Sequence, residues 1–358
     1  MTADCASGRL LKQLTGSEFK VYTYMSRITL AHGNGGRFMR ELIEQVFARH
    51  LKSPLLDIEA DATTLPGDIL DGKLMISTDG FTVKPLEFPG GNIGSLAVHG
   101  TVNDLSVAGA TPKYLCLNVI IEEGLELEIL ERIVISLGNA AMEAGVQIAA
   151  GDTKVVPRGE GSGLFLATTG IGIKNPDIDL GMHRIQDGDA ILLSGPIGDH
   201  GIAVMLAREQ FGLTGDIQSD STNVYPLTKI LLDLEGLRFM RDPTRGGLAT
   251  VLNDIHRSTG FGVRAHEPSI PVRDPVESVC DILGYNPLYL ACEGRVVAVV
   301  DKNQSMQALE KLRSVDQGKD ATIIGQISST ETRVVLETEL GGERYLEELE
   351  DDPLPRIC

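Results

Sequence analysis

The chain has 358 residues, 42% hydrophobic and 23% charged, with a formal net charge of −18; this is ordinary globular composition, long enough for two cores. The acidic balance, with no basic stripe to meet a phosphate backbone, excludes nucleic acid as the partner, and no apolar run approaches the roughly 20 residues that cross a membrane. Five cysteines, none spaced as C-x-x-C, support neither a disulfide framework nor a zinc site; with no signal-peptide core at the N-terminus, a reducing cytoplasm fits best.

Residues 1–30 read as an irregular N-terminal extension. Met25 opens "MSRITLAHGNGG", a natural-looking start, so residues 1–24 read as an extension or a mis-assigned start. A first unit spans 31–180. Its glycine turn "HGNGG" (32–36) leads into a helix in which Phe38, Met39, Leu42, Ile43, Val46 and Phe47 recur at helical spacing. Strand-like runs rich in β-branched and apolar residues then alternate with helices. The strands are "KLMISTD", "YLCLNVII", "VQIAAGD" and "LFLATTGIGI"; the helices are "GSLAVHGTVNDLSVAGA" and "LEILERIVISLGNAAMEAG". The first helix is rich in small residues, which let it approach a sheet or ligand closely.

A second unit of similar size and mixed α/β content spans 181–345. It opens with a turn at Asp187-Gly188 and a strand, "AILLSG". Helices follow at 201–211, 246–258 and 303–313. Strands follow near 262–266, 295–300, 321–327 and 332–337. Residues 346–358, acidic and carrying two prolines, read as an extended, flexible tail ending at Cys358.

Acidic clusters fall at strand ends and helix starts: "STDG" (77–80), "VND" (102–104) and "GDTKVV" (151–156). Magnesium prefers a few carboxylates plus phosphate oxygens, and Asp79, Asp104 and Asp152 could supply the carboxylates. "GGNIG" (90–94) offers glycines whose backbone amides can approach phosphates. A further cluster, "RDPTRGG" (241–247), lies in the second unit. Each Asp-Gly pair is equally a turn signal, and a terminal cysteine is equally a chance residue; three strand-end aspartates flanking a glycine loop favour a metal–phosphate site. There is no Walker P-loop and no kinase signature set, so any ATP site belongs to an uncommon fold.

The stretches "HGNGGRFM", "STDGFTVKPLEFPGGNIGSLAVHGTVNDLSVAGATPKYL", "GDTKVV", "SGPIGDHG", "RDPTRGGLATVLND" and the terminal "PRIC" resemble the hydrogenase-maturation HypE family, from about residue 30 to 358. The core also resembles the wider superfamily of aminoimidazole ribonucleotide synthetase, selenophosphate synthetase and thiamine monophosphate kinase; the terminal cysteine separates the HypE family from those relatives.

The resemblance implies a two-domain α/β synthetase-like fold with mixed sheets, ATP-binding in 31–180, usually dimeric, with ATP near the dimer interface. The implied cofactors are ATP and Mg2+, with K+ as an optional second ion. In the family, the carbamoyltransferase HypF loads a carbamoyl group onto the terminal cysteine. ATP-dependent dehydration makes it a thiocyanate, and the HypC–HypD complex accepts the cyanide for the [NiFe]-hydrogenase iron. Carried onto this chain, the reacting thiol is Cys358, the metal carboxylates are Asp79, Asp104 and Asp152, and Asn92 meets phosphate or metal. Gly91 and Asp242 join the ATP site, with His32, Gly35 and Gly36 in the loop that closes over the nucleotide. Glu293 of "ACEGR" and Lys154 match polar positions near the cysteine, and Glu293 is the better general base by type. Either is equally a structural ion-pair member, and His32 is equally a residue that only starts a helix. A selenophosphate synthetase would carry a reactive Cys in the glycine loop, which "HGNGG" lacks; a carrier that merely presents Cys358 would not need the aspartates.

Overall fold

The computed structural model describes residues 27–29, 32, 41–54, 72–208 and 215–347. The expected extension before residue 27, Gly35 and Gly36, the helix start at 37–40, and residues 348–358 with Cys358 lie outside the described residues. A π-wound turn (Ile43–Ala48) runs into a short helix, α1 (Arg49–Leu51), and buries Val46 and Phe47.

The first sheet is built from β1 (Lys73–Phe81), β4 (Ala110–Glu122), β5 (Gln147–Val156) and β6 (Leu164–Lys174), in the order β1-β6-β4-β5. β4 and β5 pair in parallel and the other neighbours antiparallel, so the sheet is mixed. A two-stranded hairpin, β2 (Glu87–Phe88) with β3 (Gly91–Asn92), follows β1. Helices α2 (Ile93–Val107) and α3 (Leu127–Glu143) cover one face. Alternation along β4 aims Leu115, Leu117, Val119 and Ile121 at those helices, all buried. The opposite face is open, and Leu74, Ile76 and Ile120 on it are 48%, 63% and 39% exposed.

α2 fits against its neighbours because of its glycines. A Cβ on Gly94 would stand 2.3 Å from the Ile133 carbonyl oxygen, and one on Gly100 would stand 2.8 Å from the Phe81 ring. The Asn92 side chain accepts from the amides of Gly94 and Ser95 at 2.9 and 3.2 Å, and the Ser95 hydroxyl accepts from the Asn92 amide, which closes a capping box.

The second unit runs β7 (Ala190–Leu193), α4 (Asp199–Ala207), α5 (Tyr225–Leu231), β8 (Leu237–Arg241), α6 (Gly247–Thr259), β9 (Gly262–His266), α7 (Asp274–Leu283), β10 (Val297–Val300), α8 (Ser305–Arg313), β11 (Thr322–Ser328), β12 (Val334–Glu337) and β13 (Glu343–Tyr345). Its seven strands are ordered β13-β12-β9-β11-β7-β10-β8. β7 and β10 are buried on both faces and read as continuous apolar runs. α6 packs on one face through Leu248, Val251 and Ile255, and α5 and α8 pack on the other through Leu227, Leu231 and Leu312. Val107, the last residue of α2, belongs to this second core, so α2 is wedged between the units. Among the described residues no helix is long and apolar enough to cross a membrane.

Candidate functional site

Three of the expected residues converge where α2 meets β1 and β8. Asp79 lies near the end of β1, and its Oδ1 accepts from the Gly80 amide at 2.7 Å. Asp104, on α2, accepts from the Ser77 hydroxyl at 2.6 Å; burial raises its carboxyl, the Asp79 charge adds to that, and Ser77 and Arg241 oppose it. Asp242 immediately follows β8 and is buried. Burial, then the Asp104 carboxylate, push its carboxyl up to about 7 against the pull of its own backbone amide and Arg241, and Asp79 adds a further push. Arg241 is itself held by Asp254 at 2.5 Å. The arrangement is a set of mutually repelling carboxylates drawn from both units, with one partly engaged cation beside it.

A divalent cation bridging to phosphate would relieve that repulsion, so the residues fit Mg2+ brought in with a nucleotide. Among the described residues no three His, Cys, Asp or Glu side chains stand close enough to hold a metal by themselves, which suits an ion that takes most of its ligands from phosphate and water.

Asp152 is not in this group. Paired residues of a sheet share a face, and the register aligns Asp79, Thr168, Leu117 and Gly151 in one row and Gly80, Ala167, Asn118 and Asp152 in the next. Thr168 bonds Thr101 of α2 at 2.5 Å, which fixes the first row as the helix-covered face. Asp152 therefore stands on the open face, two strands beyond β6. There it pairs with Lys154 at 2.7 Å, both side chains more than half exposed, and that bond is the main reason its carboxyl lies below the usual range.

The glycine loop has packing reasons of its own. A Cβ on Gly90, at φ +91°, would stand 2.7 Å from the Ser219 amide; one on Gly91 would meet the Ser95 hydroxyl at 3.0 Å. The Ser219 amide donates to the Pro89 carbonyl at 2.8 Å, so this loop is a seam between the units. Asn92 has its amide oxygen engaged in the α2 cap, which leaves a phosphate only the amide nitrogen to meet. His32 is buried and its Nδ1 accepts from the Thr29 amide at 3.1 Å.

Glu293 is buried in the loop before β10. Its carbonyl accepts from the Asn103 side-chain amide at 3.1 Å, and its amide donates to Asp220 at 3.1 Å. Asn103 precedes Asp104, so Glu293 is tied to the helix that carries the carboxylate group. Lys154, on the open sheet face, is on the other side of that sheet. Ser77, Asn103, Arg241 and Asp220 were not singled out by the sequence. Ser77, Asn103 and Arg241 lie inside the motifs "STDG", "VND" and "RDPTRGG" without having been given a role there, whereas Asp220 lies in "QSDSTN", which carries no signal.

Two domain models match the chain: AIR synthase related protein, N-terminal domain, over residues 61–174, and its C-terminal domain over 186–337. The chain is 45% identical over 333 residues to the carbamoyl dehydratase HypE of Azotobacter vinelandii, covering 92% of this chain and 97% of that one. A crystal structure of hydrogenase maturation protein HypE in complex with ATP superposes with a TM-score of 0.87 at 45% identity, covering 92% of this chain and 99% of that one. The structure of a HypE–HypF complex matches with a TM-score of 0.76 at 43% identity, covering 86% and 99%.

Proposed function

The chain belongs to the HypE family of carbamoyl dehydratases, and on that premise we propose that it dehydrates a carbamoyl group carried on Cys358, consuming ATP. The observation that carries the reading is the approach of Asp79, Asp104 and Asp242, drawn from both units, close enough for the charge of Asp79 to act on Asp104 and for both to act on Asp242. A carrier that only presented a thiol would have no use for a buried Asp242 set beside Asp104 and Asp79, where burial first and the neighbouring carboxylates second raise its carboxyl.

The chemistry follows from a poor leaving group. The oxygen of R–S–C(=O)–NH2 cannot leave as oxide. It attacks the γ-phosphorus of ATP, ADP departs, and the nitrogen gives up one proton, leaving R–S–C(=NH)–OPO3. Loss of the second N–H proton then expels phosphate and forms R–S–C≡N. The sum is thiocarboxamide plus ATP to thiocyanate, ADP and phosphate, with the elements of water from the amide used in cleaving ATP. Mg2+ brought in with ATP would draw its protein ligands from among Asp79, Asp104 and Asp242 and would supply charge neutralisation on the phosphates. Glu293 is the base for the nitrogen protons, being a carboxylate buried beside the helix that carries the phosphate site. HypF is the source of the carbamoyl group, as the HypE–HypF complex of a relative indicates, and HypC–HypD is the acceptor of the cyanide.

We further infer a homodimer. The open face of the first sheet, with Leu74, Ile76 and Ile120 exposed, is an apolar patch that a second copy would cover. Asp152 and Lys154 would then lie at the seam, in reach of a site formed by two protomers.

The test is a time course of intact mass after carbamoylation by HypF and addition of Mg-ATP. The wild type loses water from the tail. Glu293→Gln binds ATP and accepts carbamoyl, then stalls with the thiocarboxamide on Cys358. Cys358→Ala accepts no carbamoyl yet binds nucleotide. Loss of water by Glu293→Gln at the wild-type rate sinks the base assignment, and an adduct on Cys116, Cys280 or Cys292 sinks the role of the tail.

A further inference from the structure

Glu293 is gripped at both of its own backbone polar groups, and neither grip comes from regular secondary structure. On one side the Asn103 amide nitrogen donates to its carbonyl at 3.1 Å and to the Thr222 carbonyl at 3.0 Å. The Asn103 amide oxygen accepts from Val224 at 2.9 Å. One side chain thus fastens two separate loops to α2, one residue before Asp104. On the other side the Glu293 amide donates to Asp220 at 3.1 Å. Asp220 is held by Arg295 at 3.2 Å, and Arg295 also reaches Asp199 at 3.3 Å and the Pro196 carbonyl at 2.7 Å. Asn103, Asp199 and Arg295 are all buried. Gly294 fits this loop only because it lacks a side chain, since a Cβ there would stand 1.8 Å from the Asp220 carbonyl oxygen.

Asp199 Oδ1 and Asp220 Oδ2 make no hydrogen bond, so this network holds its geometry through the Arg295 ion pairs and through the bonds that Asn103 and Asp220 Oδ1 make to the backbone. The loop at 291–296 has no ladder to hold it, and a base displaced by an ångström loses much of its rate. We infer that Asn103 and Asp220 are positioning residues that set Glu293 against the carboxylate group, one from the first unit and one from the second. The inference rests on the reading of Glu293 as the base.

The experiment uses the full-length chain, carbamoylated by HypF, in single turnover with Mg-ATP. Asn103→Ser and Asp220→Ala are expected to slow loss of water at least tenfold while Mg-ATP affinity stays within threefold. Asp220→Asn, whose amide oxygen still accepts the Glu293 N–H, stays within threefold of the wild-type rate. In a Glu293→Gln background the Asn103→Ser and Asp220→Ala changes add less than twofold, because there is no base left to misplace. Hydrogen exchange at the Glu293 amide is at least tenfold faster in Asp220→Ala than in Asp220→Asn, whatever the reaction does. Unchanged rates in both variants, or a full multiplicative loss in the Glu293→Gln background, overturn the inference. A wild-type rate in Glu293→Gln itself, with the exchange result intact, shows that the base assignment failed and the grip did not. If Asn103→Ser does not fold, the contrast between the two Asp220 variants decides alone.

Discussion

Asp242 is the residue at which function and stability pull in opposite directions. Its carboxyl is buried, faces Asp104 and Asp79, and sits at about 7 rather than in the ordinary carboxylate range. Without a bound cation that is an unfavourable place for a charge. Asp242→Asn is therefore expected to raise the melting temperature of the nucleotide-free protein by about 1 to 2 °C, the scale of about 1 kcal/mol for a chain of this length. The same change should weaken Mg-ATP binding at least tenfold. Calorimetry and a thermal melt on one preparation check both; a variant that binds Mg-ATP normally removes Asp242 from the site. The sequence made the local part of this legible, because Asp79 and Asp104 sit in strand-end and helical motifs with nearby polar partners. It could not rank Asp152 against Asp242. Whether Asp152 faces the helices or the open side depends on pleat parity across three strand pairings, and a shift of one residue in any of them reverses it.

At the scale of elements, α2 organises the site. Asn92 caps it, Gly94 and Gly100 let it press on α3 and β1, and Asn103 and Asp104 carry the contacts to Glu293 and the carboxylates. Its midpoint holds His99, buried, with Nδ1 bonded to the Ser221 hydroxyl at 3.0 Å. Burial lowers this imidazole from 6.5 to about 4. The folded value lies below the unfolded one, so the unfolded chain takes the proton first. The contribution of His99 to stability is complete above pH 6.5 and is lost as pH falls toward 4, amounting to about 2 kcal/mol at pH 5. Buried carboxyls with raised values, Asp199 at about 6 and Asp242 at about 7, act with the opposite sign, so the whole-protein curve mixes them. The difference isolates the histidine: between pH 7.5 and 5, His99→Gln should lose about 2 kcal/mol less stability than the wild type in denaturant melts. Equal losses would show that His99 gains a proton without cost. Long, strongly patterned elements such as β4 and α3 were legible in the sequence. The short ones, β2, β3, α5, β8 and β13, were not, since each is defined by what it packs against and spans too few residues for its own period to show; α7 was missed although its ten residues bury Val276, Val279 and Cys280 at helical spacing.

At the scale of the molecule, the open face of the first sheet is an apolar surface among the described residues that its own protomer leaves uncovered. Among the described residues, helices cover both faces of the second sheet's central strands and one face of the first sheet, yet Leu74, Ile76 and Ile120 line the other side of β1 and β4 in the open. Asp152 and Lys154 stand on the same side, at the β5 edge. Both facts have one explanation if two copies meet there: the patch becomes a core, and the acid–base pair of one protomer reaches chemistry that its own sheet screens it from. Ile76, at 63% exposure, has the most apolar area to lose, and a carboxylate in its place would have to be desolvated in the dimer without a partner. Ile76→Glu should therefore sediment as a monomer at concentrations where the wild type is a dimer. Asp79, Asp104 and Asp242 come from one protomer, so the monomer should keep at least part of its Mg-ATP affinity. Loss of water from carbamoylated Cys358 should fall by at least tenfold, matching Lys154→Ala in an otherwise dimeric protein. A monomeric Ile76→Glu that dehydrates at the wild-type rate would show that each protomer is complete, and Lys154 would then have no part in the reaction.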